Sequence, residues 1–83
     1  MYLSVQLSCY PLADEYKSPI RALIERLEGS GLEVYPGRMS TELFGEYDEV
    51  MRVLSETMKW SFETYGKSVF VAKIMAGDRR PRE

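Results

Sequence analysis

The sequence contains no histidine and a single cysteine, Cys9. One chain therefore carries neither the imidazole and thiolate set of a zinc site nor the base of a Ser-His or Cys-His pair. A lone cysteine forms no internal disulfide, which fits a reducing compartment. No apolar run approaches the ~18 residues of a spanning helix, so no membrane segment is expected. No basic leader precedes the first alternating segment, so no signal peptide is expected and the cytoplasm is the expected location. An excess of positive charge is missing too. Residues 1–77 hold eight Lys/Arg against eleven Asp/Glu, and only residues 78–83 reverse the sign, with three arginines against two acids. An acidic body lacks the footprint that phosphate backbones need, so nucleic acid is not the expected partner. A cationic ligand suits it better. A Gly-rich phosphate loop is also absent, and 11–17 lacks the arginine and glycines of an acylphosphatase-type loop. These absences together argue against an enzyme.

What is present describes a small globular chain. Eighty-three residues make one domain, expected over 1–77 with a flexible tail over 78–83. At this size a core is only just sufficient, so self-association is expected. Residues 1–10 alternate strictly. Leu3, Val5, Leu7 and Cys9 fall on one side, and Tyr2, Ser4, Gln6, Ser8 and Tyr10 on the other. A period of two over that length is a half-buried strand. Its polar side bears no charge, which points to a second, more protected surface. Cys9 falls in the inward phase, where inert packing is its ordinary role.

Ser18-Pro19 has the form of a helix start, a capping hydroxyl followed by proline at the first helical position. Ile20, Leu23, Ile24 and Leu27 then form one apolar stripe, and Gly29 and Gly31 offer stops. A second strand is expected over 32–36. At Pro36-Gly37 proline presets φ and glycine tolerates a positive φ, so a tight hairpin over 32–44 is expected. In the returning strand Met39, Thr41 and Leu43 are placed inward, with Ser40, Glu42 and Phe44 on the other face. Glutamate is depleted in strands, so Glu42 is a candidate ligand acceptor. A helix is expected over 47–65, stopped by Gly66, with Val50, Val53, Leu54, Thr57, Ser61, Phe62 and Tyr65 as its buried stripe. Trp60 lies off that stripe, at the core's edge or in a contact between copies. A last strand over 68–74 is apolar on both faces, with Lys73 in phase with Val69 and Val71.

The order β-α-β-β-α-β defines an α+β fold, the ferredoxin-like split βαβ arrangement: a four-stranded antiparallel sheet with both helices on one face. The other face is then open, with more apolar and aromatic surface than a lone monomer carries comfortably. It is expected to be an interface between copies, a ligand site, or both.

Several stretches resemble the small thiamine-binding, YkoF-like protein family. They are Ser4-Val5-Gln6-Leu7-Ser8, Tyr10-Pro11-Leu12, Ser30-Gly31-Leu32-Glu33-Val34 and, most distinctively, Gly37-Arg38-Met39-Ser40-Thr41-Glu42-Leu43-Phe44-Gly45. Arg38 stands where that family often has proline. The resemblance implies a ferredoxin-like fold, dimers or tetramers (a homotetramer included) assembled through the sheets, and binding of thiamine or its hydroxymethylpyrimidine part without catalysis. No cofactor or metal is implied beyond that ligand. Gln6, Ser8, Tyr35, Ser40, Thr41 and Glu42 are the candidate ligand-binding residues. Their chemistry is compatible with it: carboxylate, amide and hydroxyl groups suit an aminopyrimidine edge, and an aromatic face suits a thiazolium cation. Lys73 is expected to pair with Glu42 or with a neighbouring subunit. The competing reading is a structural or regulatory oligomerisation module without a small-molecule ligand.

Overall fold

The computed structural model describes residues 1–12, 15 and 17–81. The chain runs β1 (Tyr2–Pro11), α1 (Lys17–Glu28), β2 (Glu33–Pro36), β3 (Thr41–Glu46), α2 (Tyr47–Tyr65) and β4 (Ser68–Ala76). The strands form one sheet in the order β2-β3-β1-β4 with every neighbouring pair antiparallel. This is the α+β ferredoxin-like arrangement expected from the element order.

The alternation of β1 divides the molecule. Leu3, Val5 and Leu7 point to the helices and are buried. They meet Leu23 and Leu27 from α1, Leu43 from β3, and Val50, Val53 and Leu54 from α2. Cys9, Val34, Met58, Trp60 and Phe70 pack around that core. Trp60 thus sits at the core's edge, with the Arg26 guanidinium 4.8 Å from its ring centroid. Gly45 lies within β3 under α2, where a Cβ would meet Leu32 Cδ2 at 2.6 Å and Val50 Cγ2 at 3.3 Å. A side chain there would push buried residues apart.

Both helix ends follow local chemistry. α2 starts directly from extended Glu46, with Asp48 and Glu49 in its first turn, where the exposed N–H groups favour negative charge. It stops at Gly66, whose φ of 83° only glycine adopts readily and whose N–H donates to the Phe62 carbonyl. α1 begins one residue before the Ser18 cap that the sequence suggests. Ser18 and Pro19 lie inside its first turn, and the Glu15 carboxylate receives the Lys17 N–H at 2.9 Å and the Ser18 N–H at 3.2 Å. A carboxylate reaches two donors at once and complements the dipole, so it displaces the hydroxyl as the cap.

The hairpin also differs from its expected form. Gly37 does not have a positive φ. The loop is Gly37-Arg38-Met39-Ser40, closed by the Gly37 N–H donating to the Ser40 carbonyl at 2.9 Å. The glycine is needed for space, since a Cβ at Gly37 would stand 2.9 Å from that carbonyl oxygen. Because β3 begins only at Thr41, Met39 sits at the loop tip, 88% exposed, rather than in the core. Phe62 and Tyr65, placed in the buried stripe by periodicity, are 45% and 38% exposed. The end of α2 overhangs the edge strand, and there Phe62 meets Phe70 edge to face at 5.5 Å while Tyr65 meets Trp60 at 5.7 Å.

The segment after β4, expected as a loose tail, is tethered over residues 77–80. The Gly77 N–H donates to the Tyr2 carbonyl at 2.8 Å, and the Ser4 hydroxyl donates to the Gly77 carbonyl at 2.7 Å. Arg80 then bonds Asp78 and reaches Glu33 Oε1 at 3.1 Å. This segment therefore crosses the open face from β4 toward β2. Residues 82–83 lie outside the described residues.

Candidate functional site on the open sheet face

The register builds a row across all four strands. Tyr35 stands opposite Glu42, Glu42 opposite Gln6, and Gln6 opposite Lys73. Residues paired across an antiparallel ladder share a face, so these four side chains project together from the helix-free side. All four are exposed. Glu42 and Lys73 do not form the expected ion pair. Gln6 stands between them, and two strand spacings amount to roughly 9–10 Å. Among the described residues, neither has an ion-pair partner.

Beside this row lies a hollow of about 330 Å³, lined by Ser4, Gln6, Glu42, Phe44, Lys73 and Arg79 among others. Phe44 forms its buried floor, 3% exposed, with Tyr35 against it edge to face at 5.6 Å. A hydrogen-bonded cluster continues from Tyr35. The Tyr35 hydroxyl donates to Glu33 Oε2 at 3.2 Å, and Arg80 connects Glu33 to Asp78. Partial desolvation, and then the Glu33 carboxylate, push the Tyr35 phenol above its ordinary pKa, so it stays a donor at neutral pH. Arg80 also lies over the Tyr2 ring, 5.0 Å from its centroid. Hydrogen bonds from its side chain to Asp78 and then Glu33 hold its guanidinium above the ordinary value.

The candidate residues fall into two groups. Gln6 and Glu42 line the open-face hollow, and Tyr35 flanks it across Glu42. Ser8, Ser40 and Thr41 instead line a second cavity of about 480 Å³ between the sheet and α1, with Leu7, Cys9, Leu23 and Leu27. Thr41 is opposite Leu7, in the inward phase, and is 8% exposed. Alternation forbids it the face that Glu42 takes, so the two adjacent motif residues serve different surfaces. Ser8 is half-buried, and its hydroxyl lies 3.5 Å from the Met39 carbonyl. Burial pushes the Cys9 thiol up, against an opposing hydrogen bond with Ser68, which leaves it a poor nucleophile. Arg79 and Ser4 also line the hollow but are not among the candidate residues. The signal for Ser4 was the uncharged row it belongs to, whereas Arg79 arrives through a backbone tether with no pattern of its own.

The fold is a small α+β ferredoxin-like domain with one open sheet face of mixed polarity. The chain belongs to the thiamine-binding protein family, whose family model matches residues 5–83. That membership supports a thiamine-related binding role. A search of curated proteins found no match. Among solved structures, a protein from Streptococcus pneumoniae is 26% identical with a TM-score of 0.87, over 95% of this chain and 90% of that one. A Thermotoga maritima protein, provisionally described as a thiamine biosynthesis/salvage protein, is 20% identical with a TM-score of 0.82, over 89% of this chain and 82% of its own. A Bacillus cereus domain of unknown function is 21% identical with a TM-score of 0.78, over 100% and 83%. Among the described residues no helix is long and apolar enough to cross a membrane.

Proposed function

We propose that this protein binds thiamine or its hydroxymethylpyrimidine part without transforming it, on the open sheet face. Family membership supports the ligand class. The observation that carries the site is the Tyr35–Glu42–Gln6–Lys73 row, in which an exposed carboxylate has no ion-pair partner among the described residues and stands beside an amide. Glu42 accepts from the exocyclic amine or a ring N–H, and Gln6 both donates and accepts along the same edge. The Tyr35 ring and the Phe44 floor supply aromatic surface for a flat heterocycle. The site lies next to a contact between copies through the sheets. Supporting that contact, Val69, Val71 and Met75 of β4 are 46%, 47% and 51% exposed on the same face.

Those same residues favour the second reading, an oligomerisation module whose open face is wholly covered by another copy. Isothermal titration with thiamine and with hydroxymethylpyrimidine, alongside the mass in solution, separates the two. The ligand reading predicts saturable binding at about one molecule per chain or per dimer. A stable oligomer that gives no heat with either compound would contradict it and favour the module.

A further inference from the structure

We propose that the open-face hollow is built for a phosphorylated ligand, with the phosphate held between Lys73 and Arg79 while Glu42 engages the aminopyrimidine. This rests on the ligand reading above and narrows it to a class of ligand. The lining is polarised. It offers one carboxylate, Glu42 on β3, and two cations, Lys73 on β4 and Arg79 in the segment beyond it. Gln6 separates the two ends. Neither cation has an ion-pair partner among the described residues. The Arg79 side chain donates its Nε–H to the Met75 sulfur at 3.4 Å, a weak acceptor.

Arg79 is held in place by its backbone. Its N–H donates to the Ser4 hydroxyl oxygen at 2.8 Å, and that hydroxyl donates in turn to the Gly77 carbonyl at 2.7 Å. Ser4 is 7% exposed, so the tether is shielded from water. The neighbouring Arg80 is committed to Asp78 and Glu33 and is not offered to the hollow. The result is a cationic end opposite a carboxylate end. Free thiamine would bring a thiazolium cation and no anion, and so leaves the Lys73–Arg79 end unmatched. A phosphate ester matches both ends, since an arginine fork and a lysine ammonium are the standard partners of a phosphate dianion.

Titration of the full chain with thiamine, thiamine monophosphate and inorganic phosphate tests this. The monophosphate is expected to bind on the order of tenfold more tightly than thiamine, with the gap closing as salt is raised. Lys73→Gln and Arg79→Gln should each shrink the gap by weakening the monophosphate more than thiamine. Ser4→Ala should shrink it as well without removing a charge, because it frees Arg79. Equal affinity for the two compounds, or a gap that survives in the Lys73→Gln/Arg79→Gln double variant, would overturn the phosphate assignment and leave the ligand reading standing. Inorganic phosphate displacing the monophosphate at equal concentration would overturn it too, by reducing the site to a general anion site. Heat from neither thiamine nor its monophosphate would remove the ligand reading itself, and this inference with it.

Discussion

Single side chains divide here into those that hold the fold and those that face outward for use. Leu27 is fully buried between α1 and the sheet. Leu27→Ala should destabilise by about 2–5 kcal/mol, measured by urea unfolding, because a cavity remains where the sheet cannot follow. A loss well under 1 kcal/mol would mean that α1 does not pack as described. Cys9 offers a chemical check. With its thiol pushed up by burial, alkylation by iodoacetamide near neutral pH should be slower than for a free cysteine in urea, and equal rates would contradict the packing. At this scale alternation was a good guide. It placed Gln6 and Glu42 outward and Leu3, Val5 and Leu7 inward, as found. It also placed Thr41 inward, as found, although the motif groups that residue with Glu42. A period of two sends adjacent residues to opposite faces. Met39 was misplaced because the strand it was assigned to starts two residues later.

Elements were legible where their ends are set by local rules, and less so where they depend on a distant or flanking group. α2 matches its expected span of 47–65 because a strand, a first turn with two acids, a stripe and a glycine stop all agree. The start of α1 was missed because its cap is a carboxylate upstream of the Ser-Pro signal. Hydrogen bonds from the Ser18 side chain and backbone hold the Glu15 carboxyl below its ordinary value. A group with a lowered folded pKa contributes stability that is present above its unfolded pKa of about 4.3 and is lost as pH falls through the folded value. Glu15→Gln should therefore lower the thermal midpoint at neutral pH, and the difference from the parent should shrink as pH is taken well below 4. A difference that is constant with pH would show that the carboxylate's charge does not cap α1. In the hairpin, Gly37→Ala should cost about 1 kcal/mol or more, because the added Cβ meets a backbone oxygen that closes the loop. Alanine tolerated there without loss in urea unfolding would contradict that geometry.

The whole molecule presents one covered and one uncovered sheet face, and that asymmetry followed from the element order alone. What the sequence could not convey was the path of residues 77–80, which is set by Ser4, Tyr2 and Glu33, all distant in the chain. Those contacts make one wall of the hollow from a segment that composition marks as a tail. The exposed apolar residues of β4 belong to this scale as well. If copies meet through this surface, Val71→Lys should lower the solution mass by light scattering while the circular dichroism is kept. A parent chain that is already monomeric at micromolar concentration would contradict assembly through the sheets.

The central claim is that the open-face row binds the aminopyrimidine through Glu42. The most direct measurement is calorimetric titration of Glu42→Gln with hydroxymethylpyrimidine beside the parent chain, at matched oligomer mass. The exposed position makes the substitution nearly neutral for folding, within about 0.5 kcal/mol. The account predicts that binding is lost or weakened at least tenfold, with mass and thermal midpoint unchanged. Undiminished affinity in Glu42→Gln would contradict it and direct attention to the Ser8–Ser40–Thr41 cavity beneath α1.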